Sequence, residues 1–294
     1  MGHRSGFAAL IGRPNAGKST LLNYLIGQKI AIVTDKAQTT RNRIVGILSH
    51  EEWQLVFIDT PGIYKPKDML GRKMVETAMN ALNEADLVYY LVDAAKEYGA
   101  GEAFIIKRLK EAKVPVFLLL NKVDALKREE LLPMIDFFRG LADFKAIVPI
   151  SALTGENVDA LLEETLSCLP EGPRYYPGDS VTDQPERVIA AELIREKAMT
   201  AARDEVPYSV AVLVEQMTTR ENGLVDIYAV LFVERESQKG ILIGKKGGML
   251  KQIGVQSRQE IESLLGTRVN LQLRVKLREG WRNNEGQLRN LELV

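Results

Sequence analysis

Cysteine is all but missing from this 294-residue chain, where Cys168 stands alone. That excludes an intramolecular disulfide, fits a reducing compartment, and leaves packing as the source of stability. A bilayer-spanning segment is missing too: there is no run of about 18 apolar residues, and the N-terminus has no long apolar core of a secretory leader. Met1 and Gly2 open like a myristoylation signal, but Gly6 occupies the position that needs Ser or Thr. Net charge is the third absence, with 39 Lys and Arg against 39 Asp and Glu. The balance is uneven along the chain. Between residues 239 and 282 ten basic residues face three acidic ones, so a basic C-terminal module is joined to an acidic remainder; such a module suits a polyanionic partner. With 46% hydrophobic and 27% charged residues the composition is that of an ordinary soluble globular protein, and the length favours two domains.

The most informative stretch is Gly12, Arg13, Pro14, Asn15, Ala16, Gly17, Lys18 and Ser19, a Gly-x4-Gly-Lys-Ser pattern directly after an apolar run at 7–11. A helix-like segment comes next, from Thr20 to residue 26, and stops at Gly27. This strand, loop and helix context is the one in which such a loop cradles phosphates with inward-facing N–H groups and a helix N-terminus. Lys18 is then expected to reach the β- and γ-phosphates and Ser19 to ligate Mg²⁺.

Four more short motifs occur in order. Gln38, Thr39, Thr40, Arg41 and Asn42 form a polar loop before a strand expected at 44–49. It is a candidate switch, in which Thr39 or Thr40 completes the Mg²⁺ shell only when a γ-phosphate is present. A buried-strand pattern at 53–58 runs into Asp59, Thr60, Pro61 and Gly62. The C-terminal end of a hydrophobic strand is where an α/β sheet places functional groups, so Asp59 is expected at Mg²⁺ and the Gly62 N–H at the γ-phosphate. Strands at 87–92 and 116–120 enclose a helix at 102–112, a βαβ periodicity that implies a mostly parallel sheet covered on both faces. The second of these strands leads into Asn121, Lys122, Val123 and Asp124. The Asp124 carboxylate can accept from N1–H and the exocyclic amine of guanine together, a pair of donors adenine lacks, while Asn121 and the Lys122 stem hold the loop and cover the ring. A last strand at 147–150 ends in Ser151, Ala152 and Leu153, whose N–H groups are expected at guanine O6. Five motifs occur in one chain in this order, four of them at the C-terminal ends of expected strands, and the two that face the base agree on its identity. The nucleotide is guanine.

With these motifs the chain resembles the translation-factor-like GTPases and, more narrowly, the bacterial Era family, on Thr39-Thr-Arg41, on Asp59-Thr-Pro-Gly-Ile63 and on the basic module C-terminal to the nucleotide motifs. The resemblance implies an α/β P-loop GTPase domain with a mostly parallel sheet at 1–170, a Pro- and Gly-rich linker at 171–185, and an α+β type II KH domain with the C-terminal tail at 186–294. It implies GTP/GDP and Mg²⁺ as cofactors, the metal ligands Ser19, Thr40 and Asp59, and catalytic roles for Lys18, Thr40, Asp59, Gly62 and Asn15. Ile63 stands where small regulatory GTPases place a water-orienting glutamine. An isoleucine can neither orient nor deprotonate water, so intrinsic hydrolysis is expected to be slow. Asn15 resembles the asparagine that holds K⁺ against the phosphates in related GTPases.

In the basic module, Gly244, Lys245, Lys246 and Gly247 fit the Gly-x-x-Gly loop of KH domains, which clamps about four nucleotides of single-stranded RNA. Ile241, Ile243, Leu250 and Ile253 are expected to floor an apolar groove for unstacked bases, and a helix expected at 249–265 adds Lys251 and Arg258. Around them the pattern gives a helix carrying Ile189, Leu193 and Ile194, and strands at 208–215, 224–234 and 268–275, the order of the type II KH arrangement. Trp281 either stacks on a base or packs on the core, and packing is the commoner role for a Trp beside a strand end.

The implied activity is GTP hydrolysis by a switch whose KH domain grips single-stranded rRNA. The resemblance extends this to the 3′ end of 16S rRNA and assembly of the small ribosomal subunit, by a monomeric, cytoplasmic protein that does not bind DNA. Peripheral contact with the inner membrane face, to which family members have been linked, has no anchor encoded here. An RNA-binding module with purely structural GTP is the competing reading. A metabolic kinase is disfavoured, since no acceptor-substrate domain is recognisable.

Overall fold

Apolar strands and amphipathic helices alternate through the first 168 residues as β1 (Arg4–Gly12), α1 (Lys18–Ile26), β2 (Ile44–Ser49), β3 (Trp53–Asp59), α2 (Met69–Glu84), β4 (Leu87–Asp93), α3 (Ala100–Leu109), β5 (Val116–Asn121), α4 (Arg128–Arg139), β6 (Ala146–Ile150) and α5 (Val158–Cys168). These elements are seen in a computed structural model that describes residues 2–202 and 206–293. The outer limits of the two expected domains, Met1 and Val294, and also Arg203, Asp204 and Glu205, lie outside the described residues. The six strands form one sheet in the order β2-β3-β1-β4-β5-β6, parallel except where β2 runs against β3.

Strand side chains alternate between faces, and both faces are dry. Leu10, Tyr89, Phe117 and Leu119 pack with Leu21 and Leu22 of α1 and Leu161 of α5, whereas Ile11, Tyr90, Leu118 and Leu120 pack with Ala78 of α2, Ile105 of α3 and Phe138 of α4. That is why these strands read as continuous apolar runs rather than as alternating ones. β1 lies between β3 and β4, so the winding direction changes at its C-terminal end, the place where α/β sheets open a ligand crevice.

After α5, residues 170–182 are bonded along the same unit. Gln54, fully buried, accepts at Oε1 from the N–H groups of Tyr175 (2.8 Å) and Tyr176 (2.9 Å) and donates from Nε2 to the Tyr176 carbonyl. Further along, the Ile47 N–H donates to the Val181 carbonyl at 2.9 Å and the Thr182 hydroxyl to the Val45 carbonyl at 2.6 Å. The first compact unit therefore comprises the chain up to Ala31, Thr40–Pro66 and Gly71–Asp183.

The second unit comprises Ile32–Thr39, Lys67–Leu70 and the chain from Gln184 onward. It contains α6 (Glu186–Ala201), a single helical turn α7 (Val206–Ser209), β7 (Ala211–Thr219), β8 (Val225–Val233), α8 (Glu236–Ile243), α9 (Gly248–Leu265), β9 (Val269–Leu277) and α10 (Glu285–Asn290). β7 is antiparallel and β9 parallel to the central β8, which is the type II KH topology. The strand expected from residue 208 begins at Ala211, because Pro207, which has no N–H to give a ladder, sits in the helical turn before it. Leu193 and Ile194 of α6, Leu242 of α8 and Ile253 and Ile261 of α9 close one face of the sheet over Val212, Ile227 and Leu231. Trp281 is wholly buried, with Nε1 donating to the Ser209 carbonyl at 3.2 Å, so it packs and does not stack on a base.

Candidate nucleotide and RNA sites

β1 ends at Gly12, and the loop after it turns through two left-handed residues, Asn15 (φ 65°) and Gly17 (φ 98°), into α1. Only glycine fits at 17, because a Cβ there would meet Asn121 Nδ2 at 2.0 Å. Pro14 and Asn15 stay half-buried and Ala16 is buried, while Thr20 is half-buried one turn into α1. Lys18 is buried, and its Nζ donates to the loop carbonyls of Arg13 at 3.1 Å and Gly12 at 3.4 Å. Burial pulls its pKa down to about 8, against the opposing charge of Asp59. Arg13 pairs through Nη1 with Glu102 of α3 at 3.1 Å.

Three oxygen-bearing side chains from separate elements meet beside this loop. Ser19 Oγ donates to Asp59 Oδ2 at 2.6 Å and lies 2.8 Å from Thr40 Oγ1, and Thr40 Oγ1 is 3.5 Å from the same carboxylate oxygen. Thr40 and not Thr39 belongs to the cluster; the Thr39 hydroxyl is engaged by Thr34 Oγ1 and the Lys36 carbonyl, each at 2.8 Å. Asp59 is fully buried, and its Oδ1 has no hydrogen-bond partner among the described residues. Burial pushes this carboxyl up to about 6, opposed by Lys18 and by hydrogen bonds from Ser19, the Thr60 N–H and Thr40. Two hydroxyls and a carboxylate with one unsatisfied buried oxygen make a hard donor set that fits Mg²⁺. Gly62 approaches the phosphate loop so closely that a Cβ would lie 2.5 Å from Pro14 N, and the next N–H, of Ile63, donates to the Gly12 carbonyl at 2.9 Å.

Asn121 joins three parts of the site. Its Nδ2 donates to the Ala16 carbonyl at 2.7 Å, and its Oδ1 accepts from the Ala152 N–H at 2.9 Å. The Ser151 N–H, expected to face a base, donates instead to the Glu156 carbonyl at 3.1 Å, because the 151–156 turn closes on itself; Leu153 is exposed. Lys122 adopts a left-handed conformation (φ 70°), and Asp124 is exposed in the 3-10 turn Val123–Ala125. The motifs do not point to one further residue, Asp93, whose Oδ2 receives Lys122 Nζ at 2.7 Å. A signal for it is present all the same, since Asp93 ends the hydrophobic β4 just as Asp59 ends β3.

In the second unit, Gly244, Lys246 and Gly247 all have positive φ (71°, 52° and 77°), and the turn they form holds Lys245 and Lys246 exposed between α8 and α9. A Cβ at Gly244 would lie 2.7 Å from Met249 Cβ, which keeps this position glycine. Ile241 is 47% exposed at the end of α8, and Ile243 is half-buried. On α9, Lys251 and Arg258 are exposed seven residues apart and share a helix face with exposed Val255. Ile253 cannot floor a groove: it points into the core of the unit and is wholly buried.

Residues 7–122 match a family described as 50S ribosome-binding GTPase, and residues 205–282 match the KH domain family. The chain is 52% identical over 291 residues to GTPase Era of Ruminiclostridium cellulolyticum, covering 99% of this chain and 98% of that protein. It belongs to the Era family of GTPases. As an Era-type GTPase it hydrolyses GTP, with a P-loop nucleotide domain followed by a KH domain. The crystal structure of Era in complex with MgGDPNP and nucleotides 1506-1542 of 16S ribosomal RNA superposes with a TM-score of 0.97 at 41% identity, covering 99% of each chain. A variant of Aquifex aeolicus Era bound to GDP and AlF4⁻ superposes with a TM-score of 0.96 at 41% identity, again over 99% of each chain. Both GTPase and KH motifs thus lie within one continuous Era-family match, and the Gly244 to Gly247 loop falls inside the KH segment.

Proposed function

We propose that this Era-family GTPase uses its phosphate loop, from Gly12 to Thr20, to hold GTP or GDP, with Ser19, Thr40 and Asp59 holding Mg²⁺. The meeting of Ser19, Thr40 and the half-satisfied Asp59 beside buried Lys18 carries this reading. Mg²⁺ held by these residues would supply neutralisation of the negative charge on the bound nucleotide's phosphates. Lys18 adds a second positive charge, and the Gly62 N–H completes the γ-phosphate contacts. Asn121, Lys122 and Asp124 select guanine, with Ser151, Ala152 and Leu153 shaping the far wall of the base pocket. Ile63 supplies no proton acceptor, so turnover rests on electrostatics and positioning. Asn15, half-buried in the loop, is the anchor for a K⁺ ion, which faster turnover in K⁺ than in Na⁺ at equal ionic strength tests.

The KH domain, on this reading, grips the single-stranded 3′ end of 16S rRNA in the small ribosomal subunit. The Gly244 to Gly247 loop, Ile241, Ile243, Lys251 and Arg258 would make the contacts. Support comes from the exposed lysines of that loop and from the related Era structure that carries nucleotides 1506-1542 of 16S ribosomal RNA. A monomeric protein acting in the cytoplasm, with division into a GTPase domain at 1–170, a connecting segment at 171–185 and a KH domain at 186–294, completes the proposal. Any contact with the inner membrane face is peripheral, since no helix among the described residues is long and apolar enough to cross a membrane. The test is turnover with excess GTP, with and without an RNA of that 3′ sequence. Repeated turnover abolished by Lys18→Ala, together with binding of that RNA and not of a DNA of the same sequence, is expected. Product limited to one phosphate per protein, or equal binding of DNA, would overturn it.

A further inference from the structure

β4 and β5 end side by side, with Asp93 opposite Asn121 in the parallel ladder, and both ends lie within the first compact unit. The chain leaves the two strands differently. After β4 it turns on Asp93 itself: the Lys96 N–H donates to the Asp93 carbonyl at 3.0 Å and the Ala95 N–H to its Oδ1 at 3.2 Å. After β5 it turns on Lys122, whose φ of 70° is uncommon for a residue with a Cβ and whose carbonyl accepts from the Ala125 N–H at 3.0 Å. Between the two turns the Ala94 N–H donates to the Asn121 carbonyl at 2.9 Å, which ties the two strand ends together.

Across this junction the Lys122 side chain returns to β4, its Nζ donating to Asp93 Oδ2 at 2.7 Å. The Asp93 side chain is only 9% exposed and that of Lys122 38%. Lys96 reaches the same oxygen at 3.3 Å, but 60% of its side chain faces solvent, and an ion pair so exposed holds little. A carboxylate this far from water is costly unless it is paired. The turn after β4 accounts for one of its oxygens and for none of its charge, since asparagine makes the same bond to a backbone N–H two residues on. What the charge holds is Lys122. A free lysine stem samples many rotamers and loses them when a ring settles against it, whereas a stem tethered at its ammonium has given up most of that freedom beforehand.

We propose that Asp93 is a positioning residue for the base: by holding the Lys122 ammonium it lays the Lys122 stem where the guanine ring comes to rest. The proposal rests on the reading of Lys122 as the cover of that ring. Asp93→Asn keeps an acceptor for the Ala95 N–H and removes the charge that holds the lysine. In the full-length protein, equilibrium titration of this variant shows GTP, GDP and inosine triphosphate weakened by one common factor, roughly 5-fold, because a stem lying on a ring does not read the ring's edge. Inorganic tripolyphosphate, which has no ring, stays within about twofold. Lys122→Met, with the stem kept and the ammonium gone, matches Asp93→Asn, and in a Lys122→Ala background Asp93→Asn costs nothing more. Unaltered nucleotide affinity in Asp93→Asn, an equal loss of tripolyphosphate, or a loss undiminished in the Lys122→Ala background would overturn the proposal. Lys122→Ala alone separates the two layers: if it binds GTP as the parent does, the ring-cover reading fails and takes the proposal with it, and if it binds weakly while Asp93→Asn does not, the positioning role alone is wrong. Should Asp93→Asn not fold, Lys122→Met decides by the same titrations, and full nucleotide affinity in that variant overturns the proposal.

Discussion

Asn121 donates through Nδ2 to the Ala16 carbonyl at 2.7 Å, which ties the end of β5 to the phosphate loop. The amide is 2% exposed, and its other atom, Oδ1, receives the Ala152 N–H. Truncating it leaves two buried backbone groups unpaired. Asn121→Ala is expected to cost about 2–4 kcal/mol of stability and to weaken GTP and GDP alike, since it loosens the loop itself. Urea unfolding and nucleotide titration check this; a variant as stable as the parent would show that solvent replaces both bonds.

Asp59 sets a pH window. Its pKa in the folded, nucleotide-free protein is raised from 3.8 to about 6 by burial, so the folded state holds a proton there that the unfolded chain releases from about pH 4. The stability this group contributes is present below pH 4 and is lost as pH rises to about 6. On the proposed reading of Asp59 as a Mg²⁺ ligand, cation binding is expected to have the opposite sign, since only the carboxylate would ligate. Apparent Mg²⁺ affinity is expected to weaken about tenfold per pH unit below pH 6. Asp59→Asn retains the nucleotide's own titration and loses this one, so calorimetric Mg²⁺ titrations of the two proteins at pH 5 and 7 isolate the effect. Parallel pH profiles would refute it.

Base choice is expected to depend on Asp124, which is exposed in the 3-10 turn Val123–Ala125. Asp124→Asn is expected to lose about 2–4 kcal/mol of GTP binding, two hydrogen bonds to a charged acceptor. Preference shifts toward xanthosine triphosphate, whose C2 oxygen can accept from the new amide. Equilibrium titration with both nucleotides measures the change, and unaltered GTP affinity would remove Asp124 from the site.

For RNA, the exposed pair Lys245 and Lys246 is the sharpest target. Replacing both with Asp puts carboxylates where phosphates are expected. Affinity for single-stranded RNA falls by roughly 100-fold and the salt slope shrinks by about 1 to 2, with GTP affinity unchanged. Normal RNA binding by the double variant would mean that the Gly-x-x-Gly turn only joins two helices.

The nucleotide motifs are legible because each is short, contiguous and placed at the end of an apolar strand, so spacing alone carries the chemistry. What spacing does not carry is which neighbour wins. Thr39 and Thr40 are equivalent on paper, and only the hydroxyl network around Thr34 separates them. Ile253 looks like a groove residue beside a glycine loop, yet the face of α9 that meets β8 and β9 is fixed by tertiary packing. The placement of Ile32–Thr39 with the KH unit has no local signature either, because a single isoleucine seated in a distant core leaves no periodicity. Helices α2 and α4 lie between the motifs and carry none of them, and α4 holds Pro133 within it. For Trp281 the general tendency of such residues to pack suffices, and the structure agrees with it.

The segment expected as a linker at 171–185 has Pro and Gly content without periodicity, but the hydrogen bonds that tie residues 170–182 to the first unit leave no periodic pattern in the sequence. β2 lies at the margin of the six-stranded sheet, and two of the outward groups through which a foreign strand would pair, the Ile47 N–H and the Val45 carbonyl, are taken by Val181 and Thr182. Exposed margins of this kind template aggregation and strand exchange between molecules. By occupying part of its own margin the protein leaves less of β2 open to a foreign strand, and a chain cut before residue 170 would present that strand bare.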